Sequence, residues 1–182
     1  MRGEQLTKFD YIHNLFKKQL SKNGSIWMIV KSESMTPMIN KGESVEVHSE
    51  NEYEVGDIVV YRPLRREYYI VHRIIRITKK RTYLLKGDCN YMYDEEVEES
   101  RILGKVISVK SNNDEYGFSI DSQRLLGNLS FMWLLFSSPF ILCPGEWKRR
   151  IYIMKILYNI YYWIVIKPIS HKWRKNLCLN TN

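Results

Sequence analysis

Ser34 and His72 are the residues from which chemistry could be built in this sequence. A serine hydroxyl becomes a useful nucleophile only beside a base that takes its proton, and a third polar group commonly orients that base. Ser34 lies in Ser32-Glu-Ser-Met-Thr-Pro37, directly after the strand-like run Ile26–Val30, where a turn can present its hydroxyl. His72 lies in Tyr69-Ile-Val-His-Arg-Ile74, among apolar neighbours, where a lone histidine is usually a packed core residue. Asp88, in Lys86-Gly-Asp-Cys-Asn90, and Asp94 fall in an expected loop, and either carboxylate could hold an imidazole in one tautomer. As bare residue types these remain a common inventory.

The elements that must position them follow from periodicity and punctuation. Phe9, Ile12, Phe16 and Leu20 recur at spacings of three and four, which predicts one amphipathic helix ending near Asn23-Gly24. Short β-rich runs then follow at Ile26–Val30, Ser44–Val47, Ile58–Tyr61, Tyr68–Ile77, Tyr83–Lys86 and Ile102–Val109, separated by glycines and prolines. This predicts a compact, mostly antiparallel β-domain over 1–110, with its core at 24–109. The run Ser111-Asn-Asn-Asp-Glu-Tyr-Gly117 reads as a loop, so 111–124 is expected to be a linker. An apolar and basic helical appendage is expected over 125–182.

Charge is distributed unevenly. The chain carries +8 overall, and eight of its cations (Lys148, Arg149, Arg150, Lys155, Lys167, Lys172, Arg174 and Lys175) lie in residues 148–176, where there is no acid. The first 147 residues are therefore formally neutral. Such a tail suits an anionic membrane surface, nucleic acid or solubility alone. Leu125 to Gly145 is free of charge, but Gly127, Asn128, Ser137, Ser138 and Pro139 make it a marginal span. Ile151 to Ile166 is more apolar and too short for a hydrocarbon core of about 30 Å. The expectation is a helix lying in the membrane interface, flanked by Lys and Arg and rich in Tyr and Trp, with no nucleic-acid partner. The alternative is a pair of helices packed on the protein's own sheet. Lys8, Lys17, Lys18 and Lys22 interrupt the first 25 residues, so no N-terminal signal sequence is expected. The protein is expected to associate with membranes through an interfacial or C-terminal segment and otherwise to be cytoplasmic.

Cys89, Cys143 and Cys178 form no CxxC pair and no zinc-spaced cluster, and an odd number cannot close as internal disulfides. Free thiols, no structural metal and no cofactor are expected.

In their order along the chain the motifs resemble the signal peptidase I-like serine peptidases of the LexA/signal peptidase superfamily. Ser32 to Pro37 is similar to the family's Ser-x-Ser-Met-x-Pro, and Gly42-Glu-Ser-Val-Glu-Val47 echoes its Gly-Asp-x-Val-x-Val. Gly56-Asp-Ile-Val-Val-Tyr61 resembles Gly-Asp-Ile-Val-x-Phe, Val71-His-Arg73 the base motif, Lys86-Gly-Asp-Cys-Asn90 with Asp94 the acidic motif, and Gly104-Lys-Val106 the closing strand. The histidine base resembles the archaeal, endoplasmic-reticulum and sporulation-type branch. A lysine base must be desolvated to work near neutral pH, whereas a histidine chiefly needs orienting. The resemblance implies a mainly β, signal-peptidase/LexA-like antiparallel domain with an N-terminal helix and C-terminal apolar, basic helices. It also implies Ser34 as nucleophile, His72 as base, Asp88 or Asp94 as orienting acid, and the Ser34 N–H with the Ser32 hydroxyl as oxyanion donors. Arg73, Met35 and Pro37 read as scaffold.

The resulting expectation is a serine endopeptidase acting on an extended segment of a peptide or precursor protein. Glu43 and Cys89 depart from the usual residues of two motifs, and the amino-terminal anchor of secretory signal peptidases is not expected here. A self-cleaving, repressor-like regulator is the second reading, although the sequence contains neither an Ala-Gly nor a Cys-Gly bond. A non-catalytic module binding membrane or nucleic acid through the basic tail is the third.

Overall fold

In the computed structural model, which describes residues 8–64, 66–111, 114–118, 120–142 and 147–172, Ile58–Tyr61 forms a strand buried at every position. Ile58 and Val60 enter one hydrophobic core while Val59 and Tyr61 enter another, because successive strand side chains point to opposite faces. A sheet covered on both faces is the consequence.

The chain order is α1 (Lys8–Asn23), β1 (Ser25–Ile29), β2 (Ser44–His48), β3 (Ile58–Tyr61), β4 (Ile70–Ile77), β5 (Thr82–Lys86), β6 (Glu96–Glu98), β7 (Ile102–Ser111), β8 (Asp114–Gly117), α2 (Ile120–Leu142) and α3 (Trp147–Tyr161). A π-helical turn over Tyr162–Ile166 continues α3. Every strand pairing is antiparallel, with the order β1-β2-β7-β3-β4-β5-β6 and β8 added to β7. This is the mainly β architecture expected from the sequence, with helices before and after the sheet.

Helix α1 stops where Gly24 takes φ +79° and its N–H bonds to the Leu20 carbonyl at 2.8 Å, a left-handed C-terminal cap. The helix is fastened through His13, whose Nε2 donates to the Ser100 carbonyl (3.1 Å) while Nδ1 accepts from the Tyr69 hydroxyl (3.0 Å). Burial lowers the His13 pKa, which favours this neutral, two-sided arrangement.

Two stretches differ from the sequence expectation. Within 111–124 the structure places β8, whose Tyr116 is buried and whose hydroxyl donates to the Met38 carbonyl, and then the first turn of α2. The polar residues around Tyr116 read as a loop because a single inward tyrosine gives a strand little periodicity. Gly127, read as a weakness in an apolar span, instead permits a close approach. A Cβ there would lie 2.7 Å from Gly56 Cα, and Gly56 itself takes φ +103°. Helix α2 thus rests directly on the turn before β3.

Both C-terminal helices pack on the β-domain. Met154, Tyr158, Tyr162 and Ile166 recur every four residues and are buried in the larger core. The opposite faces leave Met132, Tyr152, Ile160, Trp163 and Ile164 exposed. Among the described residues no helix is long and apolar enough to cross a membrane. Cys143, Cys178, Arg174 and Lys175 lie outside the described residues.

Candidate active site

Ser34 sits in the turn that follows β1. Val30 is locked to the far side of that turn by paired backbone bonds, Val30 N–H to Glu43 C=O and Gly42 N–H to Val30 C=O, each 2.8 Å. Met35, Met38 and Ile39 plunge into the core with no exposure, so the turn is anchored from below while Ser32 and Ser34 remain at the surface. The two serine hydroxyls are 3.1 Å apart.

The β3–β4 register sets His72 opposite Val59 and Arg73 opposite Ile58. Neighbours on a strand face opposite ways, so His72 and Arg73 reach different partners. On β5, Lys86 pairs with Arg73, and the chain leaves the sheet at Gly87 beside the imidazole. A Cβ on Gly87 would lie 2.7 Å from the Ser34 carbonyl oxygen and 2.8 Å from His72 Nε2. Only a residue without a side chain lets these groups converge, and the Cys89 N–H then bonds to the Ser34 carbonyl at 2.8 Å.

The two candidate acids separate cleanly. The Asp94 carboxylate meets His72 Nδ1. Donation from Nδ1 leaves Nε2, the nitrogen beside Gly87, as the unprotonated acceptor. Asp88 instead turns both oxygens to Arg73, at 2.8 Å from Nε and 2.7 Å from Nη2, in a fully buried fork. The third reach of Arg73 is to the Gly56 carbonyl at 2.8 Å. Asp88 therefore does not touch the histidine, and its geometry is that of a structural ion pair.

Two groups escaped the sequence reading. Tyr61 hydrogen-bonds Asp94, and burial followed by the Asp94 charge pushes its phenol far above the usual range, so it remains a donor. Its ring lies 6.2 Å from the imidazole. A tyrosine where the resembling pattern has phenylalanine was the available signal. Lys86 is buried behind the acidic loop, and burial pulls its ammonium down to about 7 against the opposing charge of Asp88. Among the described residues no group of three His, Cys, Asp or Glu side chains is arranged to hold a metal ion, and Cys89 is a free, exposed thiol.

Residues 4–107 match the model of the Peptidase S24-like family, over a segment containing Ser34, His72, Asp88 and Asp94. The chain belongs to this family. It is also similar to the signal peptidase complex catalytic subunit SEC11 of three fungi. Identity is 38% over 69 residues with the Lachancea thermotolerans protein, covering 35% of this chain and 41% of the relative. It is 34% over 95 residues with that of Pyricularia oryzae (44% and 55%), and 36% over 84 residues with that of Colletotrichum graminicola (43% and 49%). The chain spans about half the length of the curated relatives it matches. Helices α2 and α3 lie beyond the S24 match.

Proposed function

We propose that this chain is a serine endopeptidase that cleaves signal or leader peptides through a Ser34–His72 dyad oriented by Asp94. The observation carrying this reading is the convergence at Gly87: the Ser34 backbone and His72 Nε2 flank one point, while Asp94 holds Nδ1. Ser34 Oγ attacks the scissile carbonyl carbon as His72 Nε2 takes its proton. The Ser34 N–H and the Ser32 hydroxyl donate to the oxyanion. Collapse expels the amine with the proton from His72, leaving an ester on Ser34. Water, deprotonated by the same nitrogen, hydrolyses that ester and restores the serine. Arg73 and Asp88 hold the framework, with no part in proton transfer.

The substrate lies extended. Among the described residues strand β1 pairs with β2 alone, leaving its other edge open, and it runs on into Ser32, and a strand edge can hydrogen-bond an added peptide strand. Beside it a cavity of about 620 Å³ is lined by Met28, Val30, Ser32, Val60, Tyr69 and Val71, and this suits apolar substrate side chains. Purified wild-type chain is expected to cleave a peptide library, Ser34→Ala to fall to background, and Ser32→Ala to retain activity reduced about 10²–10³-fold by loss of one oxyanion donor. Equal hydrolysis by wild type and Ser34→Ala defeats the reading.

The exposed apolar face of α2 and α3 serves as a membrane-surface contact. Trp163, Ile164 and Ile160 stand out from it, Lys155 and Lys167 border it, and no acid occurs in residues 148–176. Full-length protein should float with vesicles containing anionic lipid, and the pair Trp163→Glu with Ile164→Glu should abolish flotation. Equal recovery of the double variant and wild type contradicts this contact.

A further inference from the structure

The carbonyl oxygens of the two loops flanking the dyad are held from outside the β-domain. Tyr158 of α3 is 1% exposed, and its hydroxyl donates to the Asp88 carbonyl at 2.6 Å while accepting from Lys86 Nζ at 2.6 Å. Lys86 Nζ also donates to the Gly87 carbonyl at 3.2 Å and stands 4.4 Å from the centre of the Tyr158 ring. The residue after Asp88, Cys89, gives its N–H to the Ser34 carbonyl. One phenol therefore fixes the loop that joins the nucleophile's backbone to the base.

Four residues on, at the same face of the helix, Tyr162 donates to the Thr36 carbonyl at 3.0 Å, on the other side of Ser34. From α2, Trp133 Nε1 donates to the Tyr91 carbonyl at 3.1 Å, and its ring packs edge-on to Tyr158 at 5.0 Å. Three side chains of the helical pair thus end on three backbone carbonyls around the site. Buried carbonyls require partners, and at Thr36, Asp88 and Tyr91 the donors are supplied by α2, α3 and its π-helical continuation.

We propose that α3 is a working part of the catalytic centre, with Tyr158 a positioning residue that sets the 86–91 loop against Ser34 and His72. The inference rests on the peptidase reading for its effect on rate, and on geometry alone for its effect on the loop. A Phe at 158 keeps the ring against Trp133 and Lys86 and removes both hydrogen bonds.

The test is Tyr158→Phe in the full chain, with Tyr152→Phe on the exposed face as control. Amide exchange at Cys89 and Asn90 should accelerate at least about tenfold while Val45 and Val109 in β2 and β7 keep wild-type protection. The kcat for peptide cleavage should fall about 10- to 100-fold with KM unchanged, since a misplacement of about 1 Å at reacting groups costs on the order of 10²-fold. Tyr162→Phe should act similarly from the Thr36 side. Wild-type exchange at Cys89 and Asn90 in Tyr158→Phe overturns the proposal, as does an unchanged kcat in a cleaving enzyme. A wild-type chain that cleaves nothing defeats the peptidase reading instead, and exchange then decides the loop claim by itself.

Discussion

Replacing Asp94 with Asn is expected to lower kcat by about 10³–10⁴ and to leave the protein folded, because in the proposed dyad the carboxylate fixes one imidazole tautomer. His72 Nδ1 faces Asp94 and Nε2 lies beside Gly87. An Asn at 94 can present its NH₂ to Nδ1, which then accepts and moves the ring proton to Nε2, where it blocks uptake of the serine proton. Tyr61, which donates to Asp94, remains satisfied by the Asn carbonyl oxygen. The Asp94 side chain is 23% exposed, so the change buries no new charge. Steady-state kinetics with a thermal melt check both halves: the expected pattern is lost kcat, near-native KM and a melting temperature close to wild type. A folded Asp94→Asn enzyme with wild-type kcat removes Asp94 from the mechanism.

Asp88→Ala gives the opposite pattern, with the loss in stability. Arg73 is 0% exposed and the Asp88 carboxylate is its only anionic partner among the hydrogen bonds of the described residues. Removing one member of a buried pair leaves an uncompensated charge and costs about 3–5 kcal/mol. At roughly 2–4 °C per kcal/mol for a chain of this size, melting should drop by about 6–20 °C. Well-packed apolar replacements for both members recover much of that loss in other buried pairs, so Arg73→Met with Asp88→Leu should melt above Asp88→Ala. A melting point for Asp88→Ala within 2 °C of wild type, a limit of about 1 kcal/mol, contradicts the structural role.

The contrast between these carboxylates shows what the sequence could carry. Strand β3 was legible to the residue, since Ile58–Tyr61 is a short unbroken apolar run. Neighbouring strands were found to within two residues at their ends, where pairing rather than side-chain pattern sets the limit. Short β6, with one buried residue, had too little pattern to be seen. Asp88 and Asp94, six residues apart in one loop, could not be assigned from spacing. What separates them is that β4 sends His72 and Arg73 to opposite faces, which becomes decisive only when the loop's path is known.

Tyrosines defeated the sequence reading for a related reason. Tyr158 and Tyr162 fall in the segment expected to lie in a membrane interface and Tyr61 closes a strand motif, yet all three rings are core. Their hydroxyls do the polar work, on Asp94 and on the Asp88 and Thr36 carbonyls, and periodicity carries no record of which end of a tyrosine matters. The same ambiguity kept the C-terminal helices between lying on a membrane and packing on the sheet. Met154, Tyr158, Tyr162 and Ile166 form a buried stripe, but apart from Lys155 and Asn159 the intervening residues are nearly as apolar, so only a narrow polar stripe marked the boundary.

The most direct test of the central claim is covalent trapping of the nucleophile. Wild-type protein is incubated with a peptide phosphonate carrying a small side chain beside the phosphorus, and the adduct is located by mass spectrometry of proteolytic fragments. One adduct per chain is expected, on Ser34, forming slowly in Asp94→Asn and not at all in Ser34→Ala. Peptide cleavage that persists in Ser34→Ala, or a single adduct on another residue, would contradict it.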